Sequence, residues 1–239
     1  MMHAHSSDSA SYVIELNDAV FCWPGASTPT LDIAHLQVAQ GEHLFIKGPS
    51  GCGKSTLLSL LTGINTATQG VVSLLGSDLR ALSASQRDRF RADHIGYIFQ
   101  QFNLLPYLSV LDNVTLPCHF SALRKQHVSG SLQQKAQSLL ERLHLPNALL
   151  NKPVTELSIG QQQRVAAARA LIGEPKLIIA DEPTSALDFD NREAFIALLR
   201  EEAERVGSTL IFVSHDPTLE KLFERSIHLP TLNRAGGWQ

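Results

Sequence analysis

Gly48-Pro49-Ser50-Gly51-Cys52-Gly53-Lys54-Ser55 fits the pattern G-x-x-x-x-G-K-[ST], and no other stretch constrains the chain as strongly. Glycines let the backbone curl so that several N–H groups converge on a β-phosphate, a nest that Cβ atoms would obstruct. Lys54 then bridges the β- and γ-phosphates, and the Ser55 hydroxyl is a ligand for Mg²⁺. Such a loop has to join a buried strand to a helix. His43 to Lys47 is a short apolar run, Ser55 to Leu61 reads as a helix start, and Gly63 is its stop. The expectation is an ATP-type triphosphate with Mg²⁺, held by Gly48, Ser50, Gly51, Cys52, Gly53, Lys54, Ser55 and Thr56. At a helix N-terminus beside Lys54, the Cys52 thiolate would be favoured and alkylation there should block nucleotide; the alternative, and the favoured account of its presence, is a small residue tolerated at a free position of the loop.

Four short apolar runs, Leu44 to Ile46, Ile95 to Phe99, Leu177 to Ala180 and Leu210 to Val213, read as strands buried on both faces. Helical patterns lie between them. Ser83 with Gln86, Ser131 with Gln134, Ser158 with Gln161 and Asp190 with Glu193 have capping-box spacing. Strands alternating with helices imply a mostly parallel sheet. Tyr12 to Val20 and Leu31 to Val38 instead alternate apolar and polar around a turn-rich segment, which predicts half-exposed antiparallel sheet. Residues 101–170 carry amphipathic helices, with Leu132, Ala136, Leu139, Leu140 and Leu143 at core spacing. The fold class is therefore α/β: a P-loop NTPase core, an N-terminal antiparallel β subdomain and an inserted helical subdomain. One domain is expected over 11–230, with flexible tails at 1–10 and 231–239.

The 239 residues suffice for one sizeable domain, and the net charge of −3 carries no electrostatic footprint of a nucleic-acid binder, so no nucleic-acid partner is expected. Residues 1–11 lack the basic start and apolar core of a secretory signal, and no apolar run approaches the length of a membrane span, which predicts a cytoplasmic protein. Cys22, Cys52 and Cys118 are odd in number and far apart, as in a reducing compartment.

Two further segments specify chemistry. Leu177 to Glu182 is a buried run ending in two carboxylates, and a parallel strand end opens onto the ligand crevice. Asp181 would join the Mg²⁺ shell, and Glu182 would polarise the water attacking the γ-phosphate. In Leu157-Ser158-Ile159-Gly160-Gln161, a serine cap and a glycine open a helix whose end seeks an anion. One phosphate loop is already present, so this second anion-seeking end needs another phosphate to serve, which a partner subunit's ATP would supply.

With these residues the chain resembles the nucleotide-binding subunit of an ABC transporter over about residues 11–229. The resemblance implies a head-to-tail homodimer with each ATP between one subunit's phosphate loop and the other's signature, whose positions Ser158, Gly160 and Gln161 take. Gln100 resembles the Q-loop glutamine that reaches Mg²⁺ and the attacking water, and His215 the switch histidine that contacts the γ-phosphate. Ser185-Ala186-Leu187-Asp188 resembles the D-loop. Trp23 takes the position of the aromatic that stacks on adenine, with Phe21 the alternative and simple packing open for either. Ile159 departs from the usual first glycine of the signature; the expectation is a helical backbone there.

The wording from Phe99 to Pro106, with Asn113 to Pro117, is similar to the branch of lipoprotein-releasing and macrolide-exporting ATPases. It implies an integral-membrane permease partner and a place on the cytoplasmic face of the inner membrane through that permease. Gln101 to Pro106 and Val110 to Val114 form the expected permease groove, or else the subdomain's own core. A cell-division ATPase regulating a cell-wall hydrolase, an importer subunit, or a soluble ABC ATPase acting on DNA or ribosomes are the alternatives.

Overall fold

The computed structural model describes residues 12–185 and 189–236. The chain begins with two long strands, β1 (Tyr12–Phe21) and β2 (Leu31–Ala39), then β3 (His43–Lys47), α1 (Lys54–Leu61), β4 (Gln69–Leu74) and β5 (Ser77–Asp78). Next come α2 (Ala84–His94), β6 (Ile95–Ile98), and α3 (Val110–Thr115), α4 (Pro117–Phe120), α5 (Ala122–Gln126) and α6 (Leu132–Arg142). The last third holds α7 (Ile159–Leu171), β7 (Leu177–Asp181), α8 (Phe189–Arg205), β8 (Thr209–Ser214), β9 (Arg225–His228) and α9 (Leu229–Leu232).

Two sheets result. One is antiparallel, in the order β2-β1-β4-β5, and the other is parallel, in the order β6-β7-β8-β3-β9. The period-two rule of a strand divides the parallel sheet's side chains between two cores. Leu44, Ile46, Leu177, Ile179, Ile211 and Val213 face the antiparallel sheet and the apolar side of α1. Phe45, Ile178, Ala180, Leu210 and Phe212 face the helices, α7 and α8 among them. Leu57, Leu58, Leu60 and Leu61 are nearly inaccessible, and each such leucine contributes on the order of 2 kcal/mol by leaving water.

The helical segment is built as its periodicity predicts, with Ala136, Leu139, Leu140 and Leu143 buried. Asn113 is fully buried and shapes the approach to it: its side chain accepts from Leu105 N (2.8 Å) and donates to the carbonyls of Leu105, Leu108 and Ser109. Ser83–Gln86 and Ser158–Gln161 form true capping boxes. Ser131 does not; its hydroxyl bonds Gln133 Oε1 rather than the helix backbone. Asp190 lies inside α8, which starts one residue earlier.

The sequence reading missed β4, β5 and β9, and it placed the C-terminal boundary too early. α9 runs past residue 230, and buried Asn233 accepts from Asp32 N (2.8 Å) while donating to Thr30 O (3.0 Å). Residues 1–11 and 237–239, and Ala186, Leu187 and Asp188 of the expected D-loop, lie outside the described residues.

Candidate functional site

Between β3 and α1 the chain turns through residues 48–53, with Gly51 at φ +81° and Gly53 at +96°. A Cβ at Gly51 would meet nothing within 4 Å, so it is the left-handed backbone, not crowding, that favours glycine there. Gly48 has the opposite reason: a Cβ would stand 2.5 Å from Cys52 Sγ. Cys52 is 1% exposed and packs into the core beneath the loop. That corrects the expectation of a thiol open to alkylation; only the Cys52 backbone can take part. Lys54 Nζ donates to Gly48 O (2.7 Å) and Pro49 O (3.0 Å), so it lies folded along its own loop within reach of any phosphate in the nest.

A cleft of about 810 Å³ opens over this loop. It is lined by Trp23, Ser50, Gly51, Gly53, Lys54, Ser55, Thr56, Gln100, Asp181, Glu182 and His215, which come from five separate chain segments. Thr30 joins them, a residue that carries no motif signal; its N–H bonds Phe21 O and closes the β1–β2 turn. Trp23 is 46% exposed at one end of the cleft, whereas Phe21 is buried and meets it edge-on, ring centroids 5.0 Å apart. Phe21 is thus the support and Trp23 the presented face.

At the other end the adjacent acids reach the same cleft by an unusual route. Neighbours on a strand point to opposite faces. β7 ends at Asp181, and Glu182 takes φ +49°, a left-handed conformation costly for a residue with a side chain. Its N–H still bonds Val213 O (2.9 Å), which holds the turn in place. Glu182 Oε2 receives His215 Nδ1 at 2.9 Å and the Ser214 hydroxyl at 3.2 Å. Asp181 Oδ2 accepts instead from the Tyr97 hydroxyl (3.3 Å). Burial raises the Asp181 pKa, which the Tyr97 bond and Lys54 oppose and the Glu182 charge augments. Burial, followed by the Asp181 charge, pushes the Tyr97 phenol well above its ordinary range and keeps it a donor. Tyr97 carries no motif signal; its role emerges only from the β6–β7 pairing, where it stands opposite Ile179.

Ser55, Gln100 and Asp181 offer hydroxyl, amide and carboxylate oxygens, the hard donor set that suits Mg²⁺. Among the described residues no group of three or more His, Cys, Asp and Glu is placed to hold a metal alone. One carboxylate with phosphate oxygens is the usual Mg²⁺ arrangement, so this donor set fits a nucleotide-borne ion.

Ser158, Gly160 and Gln161 are not in this cleft. They border a separate concavity of about 370 Å³ with Gln163, Asn191 and Phe195. The capping box uses the amides of Ser158 and Gln161, leaving those of Ile159 and Gly160 for an outside acceptor. Ile159 is the first residue of α7, and helical there, as expected.

The model of the ABC transporter family matches residues 31–185, more than half of the chain. The chain belongs to the ABC transporter family. It is an ATP-hydrolysing cassette. It is 40% identical over 210 residues to the lipoprotein-releasing system ATP-binding protein LolD of Shewanella denitrificans, covering 88% of each chain. It is likewise 40% identical over 205 residues to an uncharacterized ABC transporter ATP-binding protein, YknY, of Bacillus subtilis, covering 83% of this chain and 85% of that one. Among solved structures, the cassette MJ0796, dimeric and bound to ADP and Pi, superposes with a TM-score of 0.79 at 35% identity, over 90% of this chain and 93% of that chain.

A second groove, about 560 Å³, lies between α1, α2, the end of β6 and α4. Its rim shows Ile64 (62% exposed), Phe99 (39%) and Phe120 (74%). This revises the expected docking segment: Phe102, Val110, Asn113 and Val114 are buried and belong to the core of the helical subdomain. The alternative reading of that stretch, as core, is the one that applies to them. The apolar groove is formed beside it.

Proposed function

We propose that two copies of this cassette close head to tail around two Mg·ATP and drive a separate membrane permease of the lipoprotein-releasing type. The observation that carries this reading is the separation within one chain. The phosphate loop, both acids and His215 share one cleft, while Ser158, Gly160 and Gln161 open elsewhere. Only a second copy can bring the anion-seeking end of α7 to the triphosphate. The relative MJ0796, dimeric with ADP and Pi bound, supports pairing of two cassettes.

In this reading Trp23 stacks on adenine, the loop amides and Lys54 hold the phosphates, and Ser55, Gln100 and Asp181 hold Mg²⁺, which neutralises phosphate charge. Glu182 Oε2 is occupied by His215 and Ser214, so Oε1 is the oxygen that accepts the proton of the attacking water. His215 keeps that carboxylate aligned and reaches toward the γ-phosphate. Tyr97 holds Asp181. The 560 Å³ groove, apolar and at the end of β6 that leads into Gln100, receives a short helix of the permease. Attachment to the cytoplasmic face of the membrane runs through that contact; no helix among the described residues is long and apolar enough to cross a membrane.

Glu182→Gln tests the reading. It should bind Mg·ATP, accumulate as a dimer in light scattering and turn over about 10²- to 10⁴-fold more slowly. A variant that hydrolyses ATP at near the wild-type rate removes Glu182 from the role of base.

A further inference from the structure

The signature helix α7 touches three things at once. Its N-terminus is the Ser158 cap. In its second turn, Gln163 is 1% exposed and donates from Nε2 to Pro183 O (2.9 Å), the residue after Glu182. In its last turn, Arg169 Nη1 donates to Asn103 O (2.7 Å) and Nη2 to Phe102 O. Those two carbonyls follow Gln100 by two and three residues. Phe102 and Asn103 both hold left-handed backbone, φ +60° and +48°, which non-glycine residues adopt only when surroundings enforce it.

We infer that Arg169 is a positioning residue that ties the signature helix to the loop carrying Gln100, so that movement of one at dimer closure relocates the other. Two successive carbonyls accept from the two terminal nitrogens of one planar fork, whose fixed geometry holds both at a set spacing as a freely rotating ammonium on a flexible stem does not. No carboxylate of the described residues lies within 4.0 Å of Arg169, so its bonds serve the loop rather than an ion pair. The helix that bears it is stiffly seated. Val165 to Ala168 are fully buried, and Gly96 of β6 approaches so closely that a Cβ there would stand 2.2 Å from Ala170 O. A shift of α7 therefore passes to the loop after β6 and is not absorbed by slack packing. This rests on the proposed role of Gln100 at Mg²⁺ and the attacking water.

The test uses the purified full-length protein and four variants: Arg169→Met, Arg169→Lys, Gln100→Ala, and Arg169→Met combined with Asn103→Gly. Arg169→Met should lower kcat on the order of 10- to 100-fold, as small misplacements of a catalytic group do, with fluorescent-ADP affinity and melting temperature nearly unchanged. Arg169→Lys, which keeps a donor but loses the rigid fork, should fall between. Glycine adopts positive φ without strain, so Asn103→Gly should restore part of the lost kcat in the double variant. An unchanged kcat in Arg169→Met, a parallel loss of affinity and melting temperature, or no recovery in the double variant would each overturn the inference. Gln100→Ala separates the two layers. If it slows turnover while Arg169→Met does not, the tie is wrong and the reading of Gln100 stands; if Gln100→Ala turns over normally, that reading itself fails.

Discussion

Trp23→Ala should weaken nucleotide binding by an amount the structure allows to be bounded. Stacking of a base on an aromatic ring is worth about 1–3 kcal/mol by alanine substitution, and 1.4 kcal/mol is tenfold in affinity, giving a loss of about 5- to 140-fold. Trp23 is 46% exposed, so water competes for its face, and the lower part of that range, about 5- to 30-fold, is the expected outcome. The fold should be nearly indifferent. The substitution removes one edge-on contact with Phe21, worth about 0.5–1.5 kcal/mol, or a fall of about 1–6 °C in Tm for a chain of this length. Titration calorimetry in the Glu182→Gln background would measure affinity without turnover. ATP and ADP should lose affinity by the same factor, because the ring meets the base and not the γ-phosphate, and Trp23→Phe should keep most of the binding. An affinity within about twofold of the parent, or a loss confined to ATP, would refute the stacking assignment. Phe21→Ala is the contrasting perturbation: it removes a buried ring and should cost about 3–5 kcal/mol of stability.

Iodoacetamide on the native protein should label half-exposed Cys22, spare Cys52 and Cys118, and leave ATP turnover intact; intact-mass analysis showing fast Cys52 labelling with loss of activity would contradict the buried thiol. Gly96→Ala should destabilise by about 1–3 kcal/mol, because its Cβ would press on the Ala170 carbonyl, and an unchanged Tm would refute that contact. Ile159→Gly removes no backbone strain, since Ile159 is already helical, so turnover should change less than about twofold while Tm falls slightly with the helix-propensity cost of about 0.5–1 kcal/mol. A large gain in ATP-driven dimerisation would show instead that the isoleucine side chain obstructs closure.

The parts legible in the sequence are those written by local rules. The phosphate loop needs glycines because two of its residues are left-handed, and the apolar runs mark strands because both faces of the parallel sheet are buried. The Ser158 box could be read from spacing alone, since its donors and acceptors lie within four residues. Ser131 shows the limit of the same rule: the spacing is present, but its hydroxyl prefers Gln133. What could not be read depends on partners far apart in the chain. Tyr97 meets Asp181 across 84 positions, Arg169 meets the Phe102 and Asn103 carbonyls across more than 60, and Asn233 returns to Asp32 across 201. Alkylation at Cys52 was a wrong expectation because a position inside a phosphate loop does not state which way its side chain turns; the burial of its sulfur, which would stand 2.5 Å from a Cβ placed on Gly48, does.

Charge is a second argument for the proposed pairing of two copies of the cassette. Among the described residues lining the cleft, Lys54 is the only permanent cation, and it faces two carboxylates, Asp181 and Glu182. Mg·ATP adds further negative charge, which the dipole of α1, about half a positive charge at its start, offsets only in part. The same fraction is available at the start of α7, where the Ile159 and Gly160 amides are left unused by the capping box. In its own chain that helix end opens away from the cleft, so its contribution reaches a triphosphate only from a second copy. Because a pre-oriented amide pair in a closed site costs no reorganisation when charge develops on the γ-phosphate, the proposed mechanism has hydrolysis follow closure of the dimer, with binding alone not sufficing for it.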